Sequence, residues 1–411
     1  MPAVRSGLAF RRDPLGFLLG LDEDGDIVRF RAGFTDFTLI RSPEAIYRVL
    51  VKDNDSFGEG KWTVRGKRVL HDCLITQEGE PHRQRRLLLQ PSFDRRRLVR
   101  FGPAIVERTR QLEGFWRDGQ AVDVRHEMSR LALAIVGDAI FSVDLEPQAD
   151  ELVEPLVTLL DAIPKPGLPG PGALRLARAQ RLLDATADRM IAERRAGDED
   201  GDDLLAVLLA AGLTDEQVKD EIVALLQAGI DTTPGALAWA WLLLSRNPVA
   251  ESRLHAELEQ ALGGRSPRVE DLPRLTYLAM VIDEVLRLYP PVHFIDRRPL
   301  AGVELAGCPV RAGSYLLLSP LLTHRDPRFF PEPAAFRPER WSEEQRGKRP
   351  RYSFFPFGGG PHVCIGEVLA GMELALVIAT LAQRWRLRPV PGFPSDPSPR
   401  TGRLPMIPER R

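Results

Sequence analysis

Between residues 26 and 41 apolar and polar positions alternate, as Ile27-Val28-Arg29-Phe30-Arg31 and Phe37-Thr38-Leu39-Ile40, so two short strands are expected around a turn at Gly33. Ser42-Pro43-Glu44 then opens a helix to about Val51, with serine as N-cap and proline in the first turn. From about residue 80 the apolar period lengthens to that of helices, in segments broken by proline and glycine. Thr214-Asp215-Glu216-Gln217 reads as a capping box and opens the longest helical pattern, which ends near Arg246 before Asn247-Pro248. That helix is apolar on nearly every side from Ile222 to Leu244, so it is expected to run through the core. Another covers about Tyr277 to Leu288 and stops at Pro290-Pro291; a strand follows at Tyr315–Ser319, and a last amphipathic helix runs from Val368 to Trp385. Pro164–Gly172 is too rich in proline and glycine for helix interior and reads as a loop, either a mobile lid or an inert connector. Gly197–Asp203 reads as a solvated acidic turn. The pattern predicts a mainly α protein with a small β portion. A β-rich lobe occupies about 1–60, β segments about 292–320, and no repeat or linker divides the single domain expected over 1–411.

Composition narrows the classes. The 411 residues are 44% hydrophobic and 27% charged, enough for a substantial core. A formal net charge of −1 argues against a bulk nucleic-acid binder. Three widely separated cysteines, Cys73, Cys308 and Cys364, give neither a disulfide framework nor paired zinc-ligand spacing, so a reducing cytoplasm is expected. Near the start, the longest apolar run, Leu15 to Leu21, is too short to span a bilayer, and no membrane anchor is expected.

Four segments carry chemistry. In Phe357-Gly358-Gly359-Gly360-Pro361-His362-Val363-Cys364-Ile365-Gly366, a cysteine stands between a glycine-rich turn and the start of a helix. Unpaired N–H groups there favour a thiolate, the form a proximal haem ligand takes; alone, the same cysteine could be a buried small hydrophobe. Ala228-Gly229-Ile230-Asp231-Thr232-Thr233-Pro234 puts glycine, proline and polar groups inside an apolar helix. A helix loosened at Pro234 could present a hydroxyl and a carboxylate to a ligand, or simply kink with its threonines bonded to their own turn. Glu284 and Arg287 share a helix face in an apolar stretch; a buried pair needs further partners, and Arg340 in Pro338-Glu339-Arg340-Trp341 could be one. His82 and Arg86, four apart, could clamp an anion or form a solvated basic face.

In this order and spacing, these segments resemble the cytochrome P-450 family of haem-thiolate monooxygenases, in its soluble bacterial form, from about Asp13 to the end. Phe357-x-x-Gly360-x-His362-x-Cys364-x-Gly366 resembles the haem-binding signature, Ala228-Gly229-x-Asp231-Thr232-Thr233 the oxygen-activating motif, and Glu284-x-x-Arg287 with Arg340 the structural triad. The resemblance implies a triangular α-rich prism with haem b between the long central helix and the cysteine-loop helix. It implies Cys364 as iron ligand, with Phe357 and Gly366 beside it, Ala228 against the haem, and His82, Arg86, Arg297 and His362 meeting the propionates. Arg297 is preferred to its neighbour Arg298 on motif alignment. Thr232 would hold a water beside bound O2, and Asp231 would relay protons from solvent.

Substrate and electrons follow from the same resemblance. The substrate pocket would take Leu225, Gly229, Val292, His293, Phe294 and Ile295, with contributions from Lys61–Thr76, the loops around Leu168 and the tail near Gly402–Leu404; His293 and Arg403 could orient a polar end. Those two side chains could equally just face solvent. Mostly apolar, the pocket implies a hydrophobic or amphipathic small molecule, with hydroxylation or epoxidation in bacterial secondary metabolism. No flavin or nicotinamide fingerprint appears, so a separate ferredoxin or flavodoxin-type donor with its reductase is implied. Arg83, Arg85, Arg346, Lys348, Arg349 and Arg351 could form its basic docking face, or be scattered solubilising charge. A monomer is expected. The alternatives are a haem-thiolate enzyme of another type (peroxygenase, dehydratase or oxidative coupling) and a non-catalytic haem-binding sensor or ligand carrier. The intact Asp231-Thr232 pair favours the monooxygenase.

Overall fold

The structure, a computed structural model, describes residues 13–20, 25–32, 35–163, 170–197, 203–394 and 402–411. Gly33, residues 164–169 of the proline-rich loop (with Leu168) and residues 198–202 of the acidic turn lie outside them.

Strands β1 (Ile27–Ala32) and β2 (Thr35–Ile40) form the expected hairpin, with Ile27 opposite Ile40. They join β3 (Phe57–Glu59), β5 (Ile295–Pro299) and β8 (Tyr315–Leu318) in one sheet of order β1-β2-β8-β5-β3. Strand β2 pairs parallel with β8, a register from Phe37↔Tyr315 to Ile40↔Leu318. Parallel neighbours need a crossover connection, and here nearly the whole helical body intervenes between them. A second sheet, of order β4-β10-β9, unites β4 (Val122–Asp123), β9 (Trp385–Pro389) and β10 (Pro405–Arg410), while β6 (Val303–Leu305) and β7 (Cys308–Val310) pair alone.

The longer helices are α1 (Lys61–Leu70), α2 (Gly79–Leu89), α3 (Gly102–Phe115), α4 (Val124–Val136), α5 (Ala149–Ala162) and α6 (Pro171–Ala196). They continue with α7 (Leu204–Ala210), α8 (Asp215–Arg246), α9 (Pro248–Leu262), α10 (Thr276–Leu288) and α11 (Glu367–Leu381). The capping box opens α8 as expected: Gln217 N–H donates to Thr214 Oγ1 at 3.3 Å and Thr214 N–H to Gln217 Oε1 at 3.1 Å. Residues Ile222–Leu244 of α8 are almost all buried, against α4, α5, α10 and α11. Each such leucine or isoleucine is worth roughly 1.5–3 kcal/mol over an exposed position. Among the described residues no helix is long and apolar enough to cross a membrane.

Two expectations are corrected. Helix α8 does not open in the 228–234 segment, ahead of Pro234, but runs unbroken from Asp215 to Arg246, with Thr232 bonded to its own turn, the alternative reading. Side-chain donors reach its carbonyls near that point: Thr232 Oγ1 bonds Ala228 O at 2.8 Å and an Arg125 N–H bonds Asp231 O at 3.3 Å. The last helix ends at Leu381, not Trp385. Trp385 and Leu387 are buried two apart, which suits the inward face of β9 as well as a helical stripe.

Helix α10 fastens the coil that leads to Cys364. Glu284 and Arg287, both fully buried, share two hydrogen bonds of 2.8 Å. The Glu284 carboxylate also accepts from Arg340 Nε (3.0 Å), Trp341 Nε1 (2.9 Å) and Arg337 N–H (2.8 Å). Arg287 donates on to the carbonyls of His324, Pro333 and Ala335. Burial holds the His324 imidazole neutral, with its pKa lowered to about 3, and its Nε2 accepts from Phe355 N–H at 2.9 Å. The buried pair thus has the partners that offset its desolvation.

Candidate functional site

A cavity of about 400 Å³ lies between α8 and the cysteine loop, lined largely by apolar side chains. Cys364 faces it from the loop ahead of α11, its N–H bonded to Phe357 O at 2.9 Å. Although Cys364 is open to the cavity, desolvation by the protein packed around it pushes the thiol pKa up, while the Gly366 N–H and, more weakly, Arg86 act in the opposite direction. The loop needs its glycines. Gly358 and Gly360 have φ of 76° and 66°, and a Cβ on Gly360 would collide with the Leu50 carbonyl. Phe357 and Gly366 line the same wall.

One rim of the cavity gathers basic side chains. His82 and Arg86 project from α2, Arg297 from β5, and His362 from the turn before Cys364; all four line the cavity. The imidazoles of His82 and His362 stack with centroids 3.9 Å apart. Burial first, then the neighbouring His362 charge, lowers His82 to about 4. Arg297 is buried and its Nε has no hydrogen-bond partner, whereas Arg298 is exposed. A buried guanidinium with an orphaned donor, beside Arg86, is the environment a bound anion would relieve.

The opposite wall is a stripe of α8. Leu225, Ala228, Gly229 and Thr232 recur at helical spacing and line the cavity. Gly229 lets α8 approach α4 closely, since a Cβ there would lie 2.7 Å from Val136 Cγ2. Asp231 does not line the cavity. It points toward α4, where Arg125 holds its Oδ1 at 2.5 Å. That guanidinium crosses α8 over Gly235, where a Cβ would stand 2.5 Å from Arg125 Nη1.

The expected substrate-pocket residues divide. Leu225, Gly229, Val292 and Ile295 line the cavity, as do Thr63, Leu74 and Ile75 from the 61–76 segment. Phe294 does not: its ring, just ahead of β5, packs on Trp62 at 4.8 Å instead. His293 also lies off the cavity, next to Val292, with its carbonyl taking the Ser319 hydroxyl at 2.7 Å. Gly402–Leu404 is drawn away because Leu404 pairs with Asp123 and Val124, which leaves Arg403 exposed elsewhere.

The basic face is thinner than expected. Arg85 is buried against Glu221 at 2.8 Å, and Arg349 is half-buried over the Trp341 ring. Arg83, Arg346 and Lys348 remain exposed but pair with Glu80, Asp283 and Glu344. Arg351, exposed, lies over Tyr47 and Tyr352.

Sequence reasoning missed Glu78, Arg125 and Glu373. Glu78 binds His362 Nε2 at 3.1 Å, and this bond with the charges of His362, Arg297 and His82 outweighs burial and lowers its pKa. Glu373 lines the cavity from α11 with one carboxylate oxygen unpartnered, and burial pushes its pKa up to about 8. Only the position of Glu373 in an otherwise apolar helix signalled anything.

Comparison with known proteins places this geometry. The cytochrome P450 family model matches residues 21–410. Cyclooctatin synthase of Streptomyces melanosporofaciens is 38% identical, over 100% of this chain and 94% of that one. Cyclooctat-9-en-7-ol 5-monooxygenase of the same organism is also 38% identical, over 95% of this chain and 89% of that one. Pentalenene oxygenase of Streptomyces avermitilis is 31% identical over 94% and 90% respectively. Among solved structures, a retinoic-acid-bound cyanobacterial CYP120A1 superposes with a TM-score of 0.90 at 25% identity, covering 99% of this chain and 96% of that one.

Proposed function

Since the chain belongs to the cytochrome P450 family and is a haem b-dependent monooxygenase, we propose that it oxidises a terpenoid, with Cys364 as the iron ligand. One observation carries this reading: Cys364, on the loop ahead of α11, and Thr232, on α8, line one and the same largely apolar cavity. Haem b fits the residues present, because the thiol would supply a donor to its iron, the glycine turn gives clearance, and the partnerless Nε of Arg297 stands in the rim of basic side chains. When bound, a thiolate-ligated haem supplies the reduction of O2 and the cleavage of its O–O bond.

The protein's own residues do the rest. His82, Arg86, Arg297 and His362 would hold the propionates. Ala228 and Phe357, which line the cavity, would flank the porphyrin, and the Gly366 N–H would temper the sulfur. Thr232, its own proton given to Ala228 O, keeps lone pairs for a water in the cavity. Asp231, held off the cavity by Arg125, takes up protons on the solvent side and delivers them to that water by turning from the guanidinium toward the cavity. The apolar lining from Leu225, Val292 and Ile295 favours a hydrocarbon or a lightly oxygenated terpenoid, and the names of the relatives point the same way. Electrons come from a redox partner, which we take to be a ferredoxin or flavodoxin type docking near Arg83, Arg346, Lys348 and Arg351. We place the protein in the cytoplasm, acting as a monomer.

The test is turnover of a terpenoid panel with ferredoxin, its reductase and isotope-labelled O2. Label is expected in one hydroxyl or epoxide oxygen, with substrate-stimulated consumption of reducing equivalents. Oxygen drawn from water, or turnover on peroxide alone undiminished in Thr232→Ala, would overturn the reading.

A further inference from the structure

Residues 71–77, between α1 and α2, form a tight turn whose tip, Leu74 and Ile75, lines the cavity. The turn closes on itself: Thr76 Oγ1 donates to His71 O at 2.7 Å and accepts from Cys73 N–H at 3.2 Å. Two successive carboxylates of α8 then fasten it. Asp220 pairs with His71 Nδ1 at 3.1 Å and accepts from Asp72 N–H at 3.3 Å. Glu221 Oε1 accepts from Leu74 N–H and from Arg85 Nη1, each at 2.8 Å.

Glu221 has no exposed surface, and its second carboxylate oxygen has no partner. A carboxylate so placed is costly to desolvate, and an apolar side chain would serve the core better. Its position shows what it secures. Glu221, Leu225, Ala228 and Thr232 follow one another at steps of four, three and four, so they share one face of α8. The last three line the cavity. One rigid stripe, about 16 Å long at 1.5 Å per residue, therefore carries both the turn's anchor and Thr232.

We propose that Glu221, seconded by Asp220, is a specificity-determining positioning residue that holds Leu74 and Ile75 at a set distance from the α8 wall and so fixes the size of hydrophobic molecule admitted. The inference rests on the cavity being the substrate chamber.

The test uses the full-length haem-loaded protein and its Glu221→Ala, Glu221→Gln and Asp220→Ala variants. Soret-shift titrations with geraniol, farnesol and geranylgeraniol give the ratio of affinities for the smallest and largest probe; hydrogen exchange reads the Leu74 amide. In Glu221→Ala and Asp220→Ala, exchange at Leu74 is expected to quicken about tenfold, and the affinity ratio to change about fivefold or more. Glu221→Gln keeps an oxygen for Leu74 N–H, so it should hold the wild-type ratio even though its unpaired Arg85 lowers stability. Should Glu221→Ala fail to fold, the less buried Asp220→Ala decides. Wild-type ratio and exchange in the alanine variants would overturn the inference alone. If no probe moves the wild-type band, the substrate-chamber reading falls and takes the inference with it.

Discussion

The Arg125 guanidinium crosses α8 at Gly235 and binds Asp231 twice, at its carbonyl oxygen (3.3 Å) and at its carboxylate (2.5 Å). A group that takes protons from solvent works only if it is oriented, and Arg125 fixes Asp231 on the solvent side of α8, so this pair should set how efficiently protons reach the cavity. In Arg125→Ala, and in Gly235→Ala, whose methyl would displace the guanidinium tip, peroxide released per reducing equivalent should rise about tenfold. Peroxide yield against product yield in the reconstituted system checks this; an unchanged partition in both variants contradicts it.

The Glu284–Arg287 pair is fully buried and holds the coil that leads to Cys364. Removing one partner leaves the other charge stranded, so Glu284→Ala or Arg287→Ala should cost about 3–5 kcal/mol. Denaturant unfolding followed by tryptophan fluorescence and by the haem band measures it, and haem should be lost no later than the fold.

At Gly360, φ is 66° and a side chain would run into the Leu50 carbonyl. Because the obstacle is backbone, it cannot simply rotate away. Gly360→Ala should therefore reduce haem incorporation several-fold, read as the ratio of Soret to protein absorbance, while helical circular dichroism changes little.

Much of this was legible from residue pattern, and the exceptions have physical causes. The capping box of α8 and the buried Glu284–Arg287 pair announce themselves through local spacing. Trp385 misleads because a residue four after Leu381 and two before Leu387 fits a helix and a strand equally. Phe294 and Arg85 mislead because a side chain need not share its neighbours' direction: Phe294 turns onto Trp62 although Ile295 lines the cavity, and Arg85 turns inward to Glu221 although Arg83 on the same helix is exposed. Arg125 and Glu78 are invisible in sequence: their partners, Asp231 and His362, are about 106 and 284 positions away, and only the fold brings them together.

Glu373 gives a pH prediction. Burial raises its folded pKa from 4.5 to about 8, so between those values the folded state keeps a proton that the unfolded state releases. Wild-type stability through this group is therefore fullest below the ordinary carboxylate range and falls as pH rises toward 8. Glu373→Gln does not titrate. Its melting temperature relative to wild type should climb steadily from about pH 5 to about pH 8; a gap that is flat or shrinks contradicts the assignment.

The carbon-monoxide difference spectrum of the reduced protein, recorded for wild type and Cys364→Ser side by side, tests the central claim most directly. The account expects the red-shifted Soret band of a thiolate-ligated haem in the wild type and its loss in the variant. The same red-shifted band in Cys364→Ser, at undiminished haem content, would contradict it.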